Sequence, residues 1–267
     1  MPILTLAERL YGIHFEEAKQ ALLSILRDAL KGLEAHPKIL EVTKTGWVMV
    51  ELEGSDREAA ETLLRRIVGT VPRTLSELKD GMECRGRIVG LRDDLGILIN
   101  VGIEEPEIYY ALLSLSSLRK QLADGRRLGV RDLANLYGLH EGIPLEVRIL
   151  PPRIEAMGKV LEAELTDRQL DTILRWHRLG LDRVLVVGAT TGTVKRAVKA
   201  SGCERYILRI ERLGILENAL VCKIGTEAPG ILRTMGKALP DARLYPLRGG
   251  WNWNRWTRRY GIWNEDS

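Results

Sequence analysis

Between Glu77 and Leu150 the chain is cut into short apolar runs, each ended by glycine or by a charged turn. The stretch opens with Cys84-Arg85-Gly86-Arg87-Ile88-Val89-Gly90 and continues through Gly96-Ile97-Leu98-Ile99-Asn100-Val101-Gly102. It then passes Leu112-Leu113-Ser114-Leu115-Ser116 and closes with Gly142-Ile143-Pro144-Leu145-Glu146-Val147-Arg148-Ile149. Runs of this length and punctuation predict short strands rather than helices. Glycine inside a strand marks a bulge or a tight bend, and a small closed barrel needs both. Pro151-Pro152 cannot continue a ladder and marks the end of the unit.

The order of these pieces resembles the S1-type OB barrel of RNA-binding proteins: a glycine-punctuated opening strand, a second Gly-hydrophobic strand, a hydrophobic-Ser segment and a late strand. That resemblance implies contact with RNA. The candidates in this part are Arg85 and Arg87 on the opening strand, Tyr109 before the third strand, and Arg126 and Arg127 in the insertion 119–139. Loops flanking an OB sheet grip nucleic acid, which is why the insertion arginines are included. Leu98 stands where S1 domains carry an exposed aromatic, and Tyr109 and Tyr110 are the rings placed to substitute for it.

On either side the pattern changes to mixed helix and strand. Residues 1–72 read as βαββα: a strand at 2–6, a helix over 15–33 with apolar positions at helical spacing, strands at 38–42 and 46–52, and a helix begun by Ser55. Glu58 follows Ser55 at capping-box spacing. With a short strand near Thr70-Val71 this is a ferredoxin-like order. Residues 153–247 read as an α/β sandwich. It comprises a strand at 159–165, a helix capped by Thr166, a buried strand Val184-Leu185-Val186-Val187, a helix after Gly192, two strands, a helix near Thr226 and a last strand. The architecture predicted is therefore α+β and multidomain: 1–72 ferredoxin-like, 73–152 an S1-like OB barrel, 153–247 an α/β sandwich, and 248–267 a basic, Trp-rich tail.

Charge separates the halves. Residues 1–150 carry 20 Lys+Arg against 23 Asp+Glu, whereas residues 151–267 carry 20 against 13. A basic rear half is the electrostatic footprint of a polyanionic partner. Its candidate contacts are Lys195, Arg196 and Lys199, then Arg248, Trp251, Trp253, Arg255, Trp256, Arg258 and Arg259 in the tail. Arginine supplies bidentate phosphate contact, and indoles supply stacking faces. The tail tryptophans have a second reading, as a hydrophobic clasp on the domain.

Gly188-Ala189-Thr190-Thr191-Gly192 joins a strand to a helix and is the most enzyme-like segment, since such turns cradle phosphate. It satisfies neither the Walker nor the dinucleotide spacing. A nucleotide- or S-adenosylmethionine-binding enzyme is therefore the alternative reading, and a protein-interaction scaffold is a third. Cys84, Cys203 and Cys222 and the four histidines have no metal-ligand spacing, so no metal and no cofactor are predicted. No run of about 20 apolar residues is present, so no membrane partner is expected.

Taken over its whole length, with Ile210-Glu211-Arg212-Leu213-Gly214 and Ala228-Pro229-Gly230, the chain resembles an archaeal protein family with a central S1-like domain. The resemblance implies this domain order and a cytoplasmic location, and it supplies no catalytic residue. The function expected is a non-enzymatic RNA-binding protein of the archaeal translation or RNA-processing machinery. Its partners would be ribosomal RNA and ribosomal proteins.

Overall fold

The computed structural model describes residues 3–79, 81–151 and 159–250. The first unit contains β1 (Ile3–Arg9), α1 (Phe15–Ala29), β2 (His36–Val42), β3 (Trp47–Glu53) and α2 (Arg57–Ile67). Its sheet order is β1-β3-β2, antiparallel throughout, and a single antiparallel bridge sets Thr70 beside Leu6. Leu4, Leu6, Val48, Val50 and Leu52 face the two helices and meet Ala18, Leu22, Leu26, Ala60 and Leu64. Helix α1 ends four residues before the limit read from periodicity, because the chain turns through Gly32 at φ +94°. Ser55 does not cap α2. Its hydroxyl donates to Glu34 Oε2 (2.8 Å), and Asp56 takes the N-cap position.

The central unit is a closed barrel. Its strands are β4 (Glu83–Arg92), β5 (Gly96–Asn100), β6 (Tyr110–Ser114), β7 (Pro144–Ile149) and β8 (Val160–Leu165), in the order β4-β5-β6-β8-β7. Only the β6–β8 pair is parallel, and β7 returns to β4. This is an OB-like barrel. The register shifts between Ile88 and Gly90, at the glycine that the sequence marks for a bulge. Gly86 is needed where the strands cross, since a Cβ there would lie 2.4 Å from Ile99. The strand at 159–165, read from sequence as the first of the rear unit, is the fifth barrel strand. Its alternation turns Leu161, Ala163 and Leu165 inward, and closure needs it between β6 and β7. The insertion 119–139 holds parts of two helices, α3 (Leu115–Ala123) and α4 (Val130–Tyr137), whose Leu118, Leu122 and Leu133 join the barrel core.

Helix α5 (Asp167–Arg178), capped by Thr166 as its sequence predicts, leads to the third unit. That unit comprises β9 (Arg183–Val187), α6 (Thr191–Ala200), β10 (Ile207–Arg212), β11 (Glu217–Cys222), α7 (Ala228–Ala238) and β12 (Arg243–Leu247). Its sheet order is β10-β11-β9-β12, antiparallel throughout. Helices α6 and α7 cover one face, over Val184, Val186, Leu220 and Cys222. Leu185, Val187 and Ala219 on the other face belong to the barrel's core cluster. The N-cap of α7 is Glu227, one residue beyond the threonine that the sequence suggests, with Pro229 in the first turn.

The β10–β11 turn ties the ends of the chain together. Ile215 and Leu216 sit in the core of the first unit, and the backbone N–H groups of Gly188 and Ala189 donate to Leu216 O. No helix among the described residues is long and apolar enough to cross a membrane.

Candidate nucleic-acid interface

The cations divide into those that hold the units together and those left at the surface. Arg87 belongs to the first set. Its side chain is 1 % exposed, and Nη2 lies 3.0 Å from Glu8 Oε2 of β1 and 3.5 Å from Glu217 Oε2 of β11. Tyr11 donates to Glu217 Oε1 (2.6 Å), and the N–H of Ile215 donates to Glu8 (3.0 Å). Complete burial pushes the Glu217 carboxyl's pKa up, against the pull of Arg87. Two carboxylates, one guanidinium and a phenol from all three units thus meet in a buried junction. Gly214 is required beside it, because a Cβ would lie 2.1 Å from Glu217 Oε2 and 2.9 Å from Arg87 Nη2. Arg87 is therefore withdrawn from any polyanion. Arg85 is half-buried, lies 4.0 Å from Glu8 and donates to Leu213 O.

The barrel's own outer face offers little to phosphate. Leu98 pairs with Leu112 and Asn100 with Tyr110 across β5 and β6, and buried Asn100 accepts a hydrogen bond from Trp47 Nε1 (3.1 Å) of the first unit. Tyr109 packs partly against the barrel core. Asp93 and Asp94 in the first barrel turn, Glu105, Glu107 and Glu162 are exposed there, and Lys159 is paired with Glu107 at 2.7 Å. Arg126 and Arg127 are exposed on the α3–α4 loop, with Arg126 close enough to influence the Tyr137 hydroxyl.

The Gly188–Gly192 turn is occupied from within the chain. Helix α6 starts at Thr191 with Thr190 as its cap, and Glu17 of α1 lies at that N-terminus. Glu17 accepts from Thr190 Oγ1 (2.6 Å), Thr193 Oγ1 (2.8 Å) and Arg196 Nη2 (3.1 Å). These hydroxyl and guanidinium donors hold its pKa below the usual carboxylate range. A carboxylate thus stands at the end of the helix where the dipole would favour a phosphate. Arg196 serves that contact, whereas Lys195 and Lys199 stand exposed on α6.

The open cationic site lies where the barrel, α5 and the β10–β11 hairpin meet. A cleft of about 250 Å³ is lined by Arg85, Glu146, Arg168, Trp176, Arg212 and the Tyr137–Leu139 segment, among others. Helix geometry presents Arg168, Thr172 and Trp176, four residues apart, on one face of α5 toward it. Arg168 is 84 % exposed with only a 3.7 Å contact to Glu146. Arg212 is exposed, with no ion-pair partner among the described residues. Behind the cleft, the guanidinium of Arg183 lies 4.9 Å from the Trp176 ring centroid and is itself 1 % exposed. Arg175 and Arg209 are near enough to Arg183 to depress its pKa further, after burial. Two neutral histidines line this seam. Burial holds His140 down to about 4 as it stacks on Tyr245 (4.2 Å, 5°). Burial and Arg183 hold His177 down to about 4 beside Tyr137.

Read from sequence, Arg168 and Trp176 carry no RNA-contact role, and Arg212 enters only within the Ile210–Gly214 segment. Arg248 is exposed where the chain passes the end of α5, the Gly250 N–H donating to His177 O. Trp251, Trp253, Arg255, Trp256, Arg258 and Arg259 lie outside the described residues. Among the described residues no group of three metal-ligating side chains comes together.

A search of curated proteins found no match. Among solved structures, the intact alpha subunit of aIF2 from Pyrococcus abyssi is similar at 10 % identity and a TM-score of 0.23. The match covers 64 % of this chain and 97 % of that one, a likeness too slight to bear on fold or function. Family comparison is decisive by contrast: the DUF2110 N-terminal domain matches residues 4–74, the DUF2110 central domain 78–177 and the DUF2110 C-terminal domain 181–245. Together these three successive domains account for nearly the whole fold described above, and the chain belongs to the DUF2110 family.

Proposed function

We propose that this protein binds RNA, as a non-enzymatic component of the translation or RNA-processing machinery, with two ferredoxin-like units flanking an S1-like barrel. The observation that carries the reading is the cleft between barrel, α5 and β10. Arg168 and Arg212 extend into solvent there from two different elements, around the aromatic face of Trp176. Side chains of this kind neutralise phosphates and release counterions. The barrel contributes a wall and the scaffold, and its β5–β6 face is not the principal contact. Lys195 and Lys199 on α6, Arg126 and Arg127 on the α3–α4 loop, and Arg248 are exposed cations that serve this reading as secondary contacts. The nucleotide-enzyme alternative is weakened because the carboxylate of Glu17 sits at the N-terminus of α6, held by Thr190 Oγ1 and Thr193 Oγ1, and the Gly188 and Ala189 N–H groups already donate to Leu216 O.

The test is fluorescence anisotropy of the full chain with labelled single-stranded RNA from low to moderate salt. If several phosphates are contacted, the logarithm of affinity falls linearly with the logarithm of salt, by about 0.7 per contact on single strands. Affinity that is absent, or indifferent to salt, refutes the reading.

A further inference from the structure

We infer that the cleft accepts one unpaired RNA base, stacked on Trp176, with the flanking phosphates on Arg168 and Arg212; this rests on the RNA-binding reading above. Three observations support it. The cleft volume of about 250 Å³ falls below the range of roughly 300–1,000 Å³ typical of pockets that enclose a whole small ligand. It fits a projecting part of a larger molecule. Of its two lining rings Tyr137 is buried, so the flat surface on offer is the half-buried indole of Trp176, with buried Arg183 4.9 Å from its centroid. An indole held in this way is pre-set for stacking, because little side-chain freedom remains to be lost on binding. The charges lie at the rim and the ring lies within, the arrangement that separates backbone contact from base contact.

Duplex RNA does not meet this geometry. Its bases are stacked internally, and its accessible minor groove is wide and shallow, so it presents no single base for a narrow cleft. Arg212 serves the rim from the β10–β11 hairpin, the element that also plugs the first unit. The cleft is thus built only in the assembled fold.

The experiment uses the full chain and three RNAs of equal length: a single strand, the same strand carrying abasic positions, and the duplex. The single strand should bind most tightly. Abasic substitution and Trp176→Ala should each weaken binding by about 5- to 150-fold, the range that corresponds to one lost base stack. The two losses should not add, and Trp176→Phe should recover most of the affinity. Thermal unfolding of each variant separates lost stacking from lost fold, and the abasic arm needs no variant at all. Equal binding of abasic and base-bearing strands, with salt dependence intact, would overturn base insertion while leaving RNA binding standing. No binding of any RNA would overturn both.

Discussion

The first and third units are built alike and joined to the barrel differently. Each has a βαββα order with its strands arranged so that the first lies beside the third, and each turns its helix-free sheet face toward the barrel. The third unit completes the pattern with β12, a five-residue strand beside β9, where the first unit has only the Thr70–Leu6 bridge. The seams differ in emphasis, and both meet at Glu217 of β11, which faces Arg87 of the barrel at 3.5 Å. That of the first unit is polar: Trp47 to Asn100, Thr43 to Glu104 (2.7 Å), and the Glu8–Arg87–Glu217 junction. That of the third is mainly apolar and aromatic, with Leu185, Val187 and Ala219 in the barrel core and His140 on Tyr245, rimmed by the exposed Arg243–Glu141 pair at 3.0 Å. The contrast teaches where charge is consumed. Arg87 is internalised at the junction of the units, and Arg183 of the rear sheet is internalised beneath Trp176, whereas Arg212 stays exposed at that sheet's edge.

The largest effect that separates the seams should come from Arg87→Ala. It leaves buried Glu217 without its ion-pair partner and Glu8 with only Arg85 at 4.0 Å, and breaking such a pair from one side costs about 3–5 kcal/mol. Chemical denaturation should show that loss, and a loss below about 1 kcal/mol would mean that the junction is not what joins the units.

A smaller, pH-dependent effect belongs to the rear seam. His140 is neutral when folded, with its pKa lowered from 6.5 to about 4. As pH falls below about 6.5 the unfolded chain takes up a proton that the folded chain refuses. Stability is therefore lost progressively down to about pH 4, and His140 makes no such contribution above 6.5. Across that window one histidine accounts for up to about 3 kcal/mol, and His177 acts in the same direction. Replacing His140 by Phe keeps the ring stack on Tyr245 and removes the titration, so the acid slope of stability should become shallower. An unchanged slope would place the acid sensitivity elsewhere.

Much of this arrangement was legible in the sequence, and the reasons for the rest are physical. The barrel strands announce themselves because each short apolar run is bounded by glycine, and the bulge falls at Gly90. The fifth strand was assigned to the wrong unit because Pro151-Pro152 reads as a boundary, although the chain returns to the barrel beyond it. The helices of both outer units follow apolar spacing, but Ser55 shows that a capping-box pattern yields when a nearer acceptor, here Glu34, takes the hydroxyl. Arg87 could not be separated from surface arginines, because its carboxylate partners are 79 and 130 positions away. The cleft residues carried one faint signal: Arg168, Thr172 and Trp176 recur every four residues along α5. A tryptophan in an amphipathic helix reads first as core, and Arg212 joins that face only through the hairpin's fold-back.

The central claim is that the cleft arginines Arg168 and Arg212 face a polyanion while Arg87 serves the fold, and Arg212→Ala tests it most directly. Measured by anisotropy across a salt series, the variant should bind RNA about tenfold more weakly, the worth of one charge-assisted phosphate contact. Its salt slope should be lower by about one contact, with the unfolding midpoint unchanged. Undiminished affinity with an unaltered slope, in a folded variant, would contradict the account.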